Sequence, residues 1–335
     1  MIIIWNRKTV NIDSALHGKG LFMRHLIDPW DFTKEETDAL LALAERIQRD
    51  PSIYSRVAAG KRLATLFYEP STRTRLSHET AMQNLGGFVI GFPSVEVSSV
   101  TKGESVEDTI RVISRYADIA AMRHYREGAP TLAAQFSTIP VINAGDGGNN
   151  HPTQTLLDML TIKKRKGRLD DLTIGFCGDL KYGRTVHSLV KNLSRCRNIR
   201  FVFISPKELR IPGEMIDTYV KSAGLQYTEV ESLEDAIGCL DILYMTRIQK
   251  ERFLSEEEYL RFKGVYVLDG QKMKLAKENM AVLHPFPRVD EIAPEVDGDE
   301  RAAYFEQIEN GVYVRMALIM ALLQIPDPVT GQVVL

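Results

Sequence analysis

The feature that most constrains the fold of this chain is the alternation of short apolar runs with longer stretches of helical periodicity. Each apolar run is about four to eight residues long, the usual length of a buried strand. Strands that alternate with helices in this way are typical of a parallel sheet with crossover helices. The sequence therefore predicts an α/β fold.

The alternation occurs twice along the chain. The predicted strands are 63–68, 87–92, 118–122 and 139–143 in the first half and 172–177, 199–204, 226–230, 240–245, 264–268 and 281–284 in the second. The predicted helices between them are 33–49, 74–85, 105–117, 128–136, 183–195, 212–223 and 232–238. Because 335 residues exceed one domain of ordinary size, we expect two doubly wound parallel-sheet domains.

Two further helices are predicted to join these domains. The segment 151–166 has apolar residues on one face and a basic last turn before a glycine, so it links the halves. The segment 312–324 is apolar throughout and has to pack on a domain. We therefore expect a first domain at 1–150, completed by a C-terminal helix at about 305–335, and a second domain at 151–304.

Composition narrows the class of protein. The chain has 42 basic and 44 acidic residues, a formal charge of −2, which argues against a general affinity for nucleic acid. The apolar run after Met1 is too short for a signal peptide or a membrane span, so we expect a cytoplasmic protein without a membrane partner. Cys177, Cys196 and Cys239 are odd in number and unclustered, which favours reduced core thiols over a disulfide or zinc framework.

The segment EPSTRTR at 69–75 follows a predicted buried strand. A helix that begins near Ser71 directs its first N–H groups and its positive dipole end forward. Thr72 and Thr74 add hydroxyl donors and Arg73 adds a guanidinium, a combination that suits phosphate. An ordinary helix cap followed by surface arginines is the alternative.

The segment NAGDGGNNHPTQ at 143–154 predicts a glycine-rich loop that leads into a helix. Pro152 suits the first helical turn, which places His151 and Gln154 on one face at the helix start. Those two side chains could hold a carbonyl oxygen and an NH2 group. A structural role for His151 is the alternative.

The segment GDLKYGRT at 178–185 matches a phosphate-loop pattern except that Arg184 replaces the lysine. A planar guanidinium matches a carboxylate in bidentate fashion, whereas the lysine of a nucleotide loop acts as a point charge. We therefore favour a carboxylate ligand for Arg184, with a nucleotide-binding loop as the alternative.

Two more segments follow predicted strands. MTRIQKER at 245–252 places Arg247 and Gln249 at a strand's C-terminal end, where open α/β sheets bind ligands. HPFPR, which includes Pro285 and Phe286, predicts a rigid loop whose carbonyl groups could accept hydrogen bonds from an NH2 or ammonium group.

Taken in order, these segments resemble the aspartate/ornithine carbamoyltransferase family. FYEPSTRTR, MRH at 122–124 and HPTQ match its carbamoyl-phosphate motifs, and the resemblance runs from about residue 60 to about residue 320. GDLKYGRTVHS, MTRIQKER and HPFPR resemble the aspartate branch. Ornithine enzymes carry a cysteine and an HCLP segment where this chain has Thr153 and Phe286.

The resemblance implies a carbamoyl-phosphate-binding first domain and an aspartate-binding second domain. The implied ligands of carbamoyl phosphate are Ser71, Thr72, Arg73 and Thr74 for the phosphate, Arg123 and His151 for the carbonyl oxygen, and Gln154, Pro285 and Phe286 for the amide. Ser98 and Lys102 are implied as further ligands of carbamoyl phosphate. The implied ligands of L-aspartate are Lys102, Arg184, Arg247 and Gln249. Two arginines match a dicarboxylate, whereas ornithine would require an acidic pocket.

The implied reaction transfers the carbamoyl group to the α-amine of L-aspartate, giving N-carbamoyl-L-aspartate and phosphate for de novo pyrimidine biosynthesis. Its substrate is already activated, so we expect no metal and no cofactor. Alignment of the two substrates and stabilisation of the oxyanion would supply the catalysis. The implied catalytic residues are Arg73, Thr74, Arg123, His151 and Lys102.

The resemblance also implies an assembly. The polar segment 98–105 would be a mobile loop that brings Ser98 and Lys102 into the neighbouring subunit's site, which implies a homotrimer. Domain closure would pair Glu69 with Arg184 or Arg252. Regulatory chains accompany some members of the family, and the sequence leaves their presence open.

Two other classes of protein remain as hypotheses at this point. One is a nucleotide-dependent protein that uses the segment around Arg184 as a phosphate loop. The other is a carbamoyltransferase-like scaffold without activity, although every residue expected for catalysis is present.

Overall fold

The computed structural model describes residues 23–249, 253 and 255–335. The first sheet contains β1 (Arg62–Phe67), β2 (Phe88–Phe92), β3 (Ile119–His124) and β4 (Val141–Asp146) in the order β2-β1-β3-β4. The second contains β5 (Thr173–Cys177), β6 (Arg200–Ile204), β7 (Gln226–Val230), β8 (Ile242–Met245) and β9 (Ala281–Leu283) in the order β7-β6-β5-β8-β9. Every pairing between these strands is parallel, so the predicted α/β fold with two doubly wound sheets is confirmed.

The helices surround the two sheets. They are α1 (Lys34–Arg49), α2 (Thr72–Asn84), α3 (Val106–Ile113), α4 (Ala129–Phe136), α5 (Pro152–Lys166), α6 (Arg184–Leu193), α7 (Gly213–Met215), α8 (Leu233–Ile237), α9 (Glu256–Leu260), α10 (Gly270–Met273) and α11 (Tyr304–Leu322). A π-helical stretch, Ile216–Lys221, continues α7. Helix α5 connects the two sheets in the chain, as the sequence predicts.

Helix α11 is longer than the predicted 312–324 and begins at Tyr304. It packs against α1, α2 and α5. Its buried residues include Val314, Met316 and Leu318, which belong to one continuous core with residues of α1 and α5. The C-terminal helix therefore returns to the helices that flank the first sheet.

Each sheet has one point where the strand order reverses. In the first sheet this point lies between β1 and β3, and in the second it lies between β5 and β8. Open α/β sheets bind ligands beside the carboxyl ends of the strands at such a point. The segments that follow β1, β3, β5 and β8 are therefore positioned for binding by the topology itself.

The strand predicted at 264–268 is wrong. The segment contributes a single bridge, between Leu268 and Ile292. The outer edge of β9 is already occupied, because the Val282 N–H donates to the Arg301 carbonyl and the Ala303 N–H donates to the Val282 carbonyl. The segment is apolar because Leu268 is buried in the core of the second domain, and burial by itself does not make a strand.

The prediction of three core thiols is wrong for Cys239. Cys177 and Cys196 are buried, whereas Cys239 is exposed. It lies in the turn between α8 and β8, outside the apolar run that begins at Leu240. In the described part of the chain, no helix is both long enough and apolar enough to cross a bilayer.

Candidate active site

A cavity of about 480 Å³ is bounded by segments that follow strands of both sheets. Its lining includes most of the residues that the sequence analysis selected: Ser71, Thr72, Arg73, Thr74, Arg123, His151, Gln154, Arg184, Arg247, Gln249, Pro285 and Phe286. Five of the described lining residues are arginines, and Glu69 is the only acidic one among them. The cavity is therefore suited to anions.

The N-terminus of α2 forms one wall of the cavity. Ser71 is the N-cap residue, and the first backbone hydrogen bond of the helix runs from the Arg75 N–H to the Ser71 carbonyl at 3.2 Å. The preceding N–H groups belong to the first turn, which has no partners within the helix. Thr74 is buried, whereas Thr72 and Arg73 are exposed. This wall can donate several hydrogen bonds to one phosphate.

Arg123 lies on β3 and is buried in the cavity wall. Its Nε is 3.4 Å from Glu69 Oε2 in an ion pair. The predicted pairing of Glu69 with Arg184 or Arg252 on domain closure stays a prediction, since Glu69 pairs with Arg123 in this structure and Arg252 lies outside the described residues. Burial lowers the pKa of Arg123, and the Glu69 carboxylate opposes that shift.

Arg123 and Arg184 approach each other at Gly145. A Cβ at Gly145 would lie 2.9 Å from Arg123 Nη1 and 3.4 Å from Arg184 Nη2, and the φ of Gly145 is +119°. Arg184, the first residue of α6, also donates to the Gly147 carbonyl in the loop after β4. The positive φ favours glycine at this position, and a side chain here would also displace the Arg123 guanidinium group.

Residues at the start of α5 form the next part of the wall. His151 is the N-cap residue and Gln154 lies in the first turn, and both are buried. Burial, together with the nearby Arg184 and Arg123, holds the pKa of His151 well below its ordinary value. His151 is therefore a neutral imidazole near pH 7, able to donate a hydrogen bond without adding charge.

The second sheet contributes Arg247 and Gln249, which follow β8. Burial raises the pKa of the nearby Asp179 carboxyl, and the backbone and side chain of Gln249 are among the groups that oppose this shift. Arg184 reaches across to the first domain, so the GDLKYGRT segment faces the cavity between the sheets. The carboxylate-binding role of Arg184 stays a prediction.

The loop after β9 contributes Pro285 and Phe286. The Phe286 N–H donates to His284 Nδ1 at 2.8 Å, and His284 Nε2 lies 2.6 Å from Glu291 Oε1. Phe286 has a left-handed backbone with φ of 53°, and its ring lies 5.9 Å from the Arg73 guanidinium carbon. Internal hydrogen bonds therefore fix the shape of this loop.

Ser98 and Lys102 lie apart from the cavity lining of this chain. Lys102 ends a short 3-10 helix, Ser99–Lys102, and is exposed, while the Ser98 hydroxyl donates to the Val95 carbonyl at 2.8 Å. Their proposed role in a neighbouring subunit stays a prediction.

Several residues of the site were missed by the sequence analysis. Asp158, Gln307 and Arg315 are fully or almost fully buried, and the last two line the cavity. Burial raises the pKa of Asp158 to about 7 and lowers that of Arg315 to about 10. The only available signal was the presence of polar residues at apolar positions of α5 and α11, and that signal does not indicate a partner.

An arginine-rich cavity between two doubly wound domains is typical of a protein that binds small anionic ligands. The chain belongs to the aspartate/ornithine carbamoyltransferase family. The model of the carbamoyl-P binding domain of that family matches residues 24–164, and the model of its Asp/Orn binding domain matches residues 170–322. The resemblance found in the sequence is confirmed.

Individual relatives extend this result. The chain is 62% identical over 303 residues to the aspartate carbamoyltransferase catalytic subunit of Lachnoclostridium phytofermentans, covering 90% of this chain and 99% of that one. It is 60% identical over 300 residues to the catalytic subunit of Clostridium botulinum, covering 90% and 98%.

Solved structures of aspartate transcarbamoylases are similar to this chain over most of its length. The catalytic subunit of M. jannaschii aspartate transcarbamoylase has a TM-score of 0.85 at 50% identity, covering 90% of this chain and 98% of that one. Aspartate transcarbamoylase from Trypanosoma cruzi, in complex with carbamoyl phosphate and aspartate, has a TM-score of 0.84 at 39% identity, covering 89% and 96%.

Proposed function

We propose that this chain transfers the carbamoyl group of carbamoyl phosphate to the α-amine of L-aspartate, giving N-carbamoyl-L-aspartate and phosphate. The observation that carries the proposal is the convergence of both predicted ligand sets, apart from Ser98 and Lys102, on one cavity. The cavity is rich in arginine, as two anionic substrates require. This reaction is the step of de novo pyrimidine biosynthesis that the family resemblance implies.

Carbamoyl phosphate binds to the first domain, residues 1–150 together with the C-terminal helix. The start of α2 and Arg73 hold its phosphate group through N–H, hydroxyl and guanidinium donors. Arg123 and His151 donate to its carbonyl oxygen, and both are buried in the cavity wall. Gln154 and the carbonyls of 285–286 accept from its NH2 group.

L-aspartate binds to the second domain, residues 151–304. Arg184 and Arg247 each bind one of its carboxylates, with Gln249 beside them. Guanidinium groups match carboxylates in planar, two-point contacts, whereas the distal ammonium of ornithine would be repelled by this many arginines. The charge of the cavity therefore selects the acceptor.

Catalysis follows from alignment and from electrostatic stabilisation. Two substrates held side by side react as though they were one molecule. As the amine attacks the carbonyl carbon, Thr74, Arg123 and neutral His151 stabilise the negative charge that develops on the carbonyl oxygen. The departing phosphate accepts the amine proton, so no side chain is required as a separate base.

The active assembly is a homotrimer in which Ser98 and Lys102 complete the site of the neighbouring subunit. Two observations support this assembly: both residues lie away from the cavity of their own chain, and the adjoining Val97 is 66% exposed. The names of the relatives, which are catalytic subunits, support regulatory chains as further partners. We assign the protein to the cytoplasm.

The first experiment supplies the purified chain with carbamoyl phosphate and, in parallel, with L-aspartate or L-ornithine. We expect carbamoyl-aspartate and phosphate from aspartate only. Product from ornithine, or no product from a folded chain with either acceptor, would contradict the proposal. An R73A variant, which removes a phosphate ligand, is the matched negative control.

A further inference from the structure

A buried carboxylate joins three elements behind the cavity. Asp158, on α5, has no measurable exposure. Its Oδ1 accepts from Gln154 Nε2 at 2.8 Å and from Gln307 Nε2, on α11, at 2.5 Å. Its Oδ2 accepts from the Tyr244 hydroxyl, on β8, at 2.8 Å. Asp158 therefore connects residues that lie far apart in the chain.

This arrangement decides which end of each amide group faces the cavity. An oxygen that accepts two hydrogen bonds has to be met by NH2 groups, so the carbonyl ends of Gln154 and Gln307 point elsewhere. Burial raises the pKa of Asp158 to about 7, and protonation at Oδ2 would still leave Oδ1 as the acceptor for both amides. For Gln154, which lines the cavity, the carbonyl oxygen is the end left for a ligand.

The same carboxylate also fixes the loop on the other side of the cavity. With its NH2 group on Asp158, Gln307 presents Oε1 to the His284 backbone N–H at 2.9 Å. His284 in turn holds Phe286 through its ring. Asp158 thus orients the Gln154 carbonyl directly, and it is linked to the loop at 285–286 through two intermediate residues, Gln307 and His284.

We propose that Asp158 is a positioning residue that arranges hydrogen-bond acceptors around the NH2 group of carbamoyl phosphate and so distinguishes it from acyl phosphates without that group. The inference deepens the proposed function and rests on it. A carboxylate is suited to this role because it can only accept, whereas a neutral side chain would allow the Gln154 amide to turn over and present a donor to the NH2 group.

The test compares carbamoyl phosphate with acetyl phosphate, which has a methyl group in place of NH2. Calorimetry on the full-length chain gives the Kd of both ligands. We expect D158A to weaken carbamoyl phosphate about tenfold and acetyl phosphate less than about twofold, because only the first ligand donates to Gln154. Y244F, which removes the donor to Asp158 Oδ2 and leaves both amide hydrogen bonds to Oδ1, should keep the wild-type ratio.

A second variant, Q307M, tests the proposal if D158A does not fold. Q307M conserves volume and leaves Asp158 paired with Gln154, but it disconnects the loop at His284. We expect it to lower the ratio of the two affinities about threefold. Equal weakening of both ligands in either variant, or an unchanged ratio in Q307M, would overturn the proposal because it would show a purely structural role.

The binding measurements distinguish a failure of this inference from a failure of the proposed function. A wild-type chain that prefers carbamoyl phosphate but makes no carbamoyl-aspartate contradicts the proposed function alone. A wild-type chain that binds the two phosphates equally well contradicts the role of Asp158.

Discussion

Glu69 and Arg123 form an ion pair in the cavity wall, with Glu69 Oε2 3.4 Å from Arg123 Nε. Both atoms are buried. Glu69 follows β1 and Arg123 lies on the adjacent β3, so the parallel pairing of these strands brings them together. The pair places one negative charge among the arginines that line the cavity.

Removing that charge should strengthen anion binding. In E69Q the arginines act on phosphate without an opposing carboxylate, so we expect inorganic phosphate to bind about threefold more tightly at low salt. Calorimetry measures the change. E208Q, which alters an exposed glutamate, is the control. Weaker binding by E69Q would show that Glu69 acts mainly by holding Arg123 in place.

Removing Arg247 should affect aspartate selectively. R247A loses a guanidinium that binds a carboxylate, so we expect the KM for aspartate to rise about 10- to 100-fold while the Kd of carbamoyl phosphate changes little. Steady-state kinetics and calorimetry give the two constants. R197A, which removes an 82% exposed arginine, should leave both unchanged. An equal loss for both substrates would contradict the assignment of Arg247.

A methyl group at Gly145 should displace the guanidinium groups. In G145A the new Cβ would lie 2.9 Å from Arg123 Nη1, so we expect a loss of at least about tenfold in kcat/KM. G128A is the matched control, because Gly128 also has a positive φ of +79° but its Cβ meets nothing within 4 Å. G128A should cost only about 1 kcal/mol of stability. Similar losses of activity in both variants would contradict this account.

Mixing two inactive variants tests whether sites are shared. If each site takes Arg73 from one subunit and Lys102 from its neighbour, R73A and K102A are each inactive. Random co-assembly then restores about one quarter of all sites, and about one third of the sites in the trimers that contain both variants. Co-expression with two affinity tags, followed by assay of the doubly tagged fraction, measures the recovery. Activity no greater than that of the separate variants would contradict site sharing.

His78 should make the protein sensitive to acid. Burial and the nearby Arg315 lower its pKa to about 3, against about 6.5 in the unfolded chain. Between these values the unfolded state binds a proton that the folded state does not, so stability is full above about pH 6.5 and falls with decreasing pH. One such group contributes at most about 1.4 kcal/mol per pH unit.

The measurement for His78 is urea unfolding of wild type and H78Q at several pH values below about 6. H78Q loses the hydrogen bond between His78 Nδ1 and the Thr74 carbonyl, so its absolute stability also falls. The slope of stability against pH is therefore the informative quantity. It should be shallower in H78Q, and equal slopes would contradict the role of His78.

The sequence predicted most of the fold because the strands and helices have local signals. The apolar runs predicted all nine strands, β1 to β9, to within a few residues. Helix α2 begins at Thr72, and Ser71, where the helix was expected to begin, is its N-cap residue. The one predicted strand that did not form is 264–268. This segment is apolar because it is buried, and it makes only a single bridge because the outer edge of the neighbouring strand β9 is already paired. The local sequence pattern indicates that a segment is buried, whereas strand pairing depends on which edges of the sheet are unpaired.

The sequence by itself determined which segments supply polar groups to the cavity, because the hydroxyls, arginines and helix starts of EPSTRTR and HPTQ have local signals. Only the tertiary structure decided which distant groups meet. Gln307 and Asp158 are separated by 149 positions, and Glu69 pairs with Arg123 because β1 lies beside β3. A hydrogen bond between distant residues leaves no periodic mark in the chain, so its partners become known only when the elements that carry them are packed.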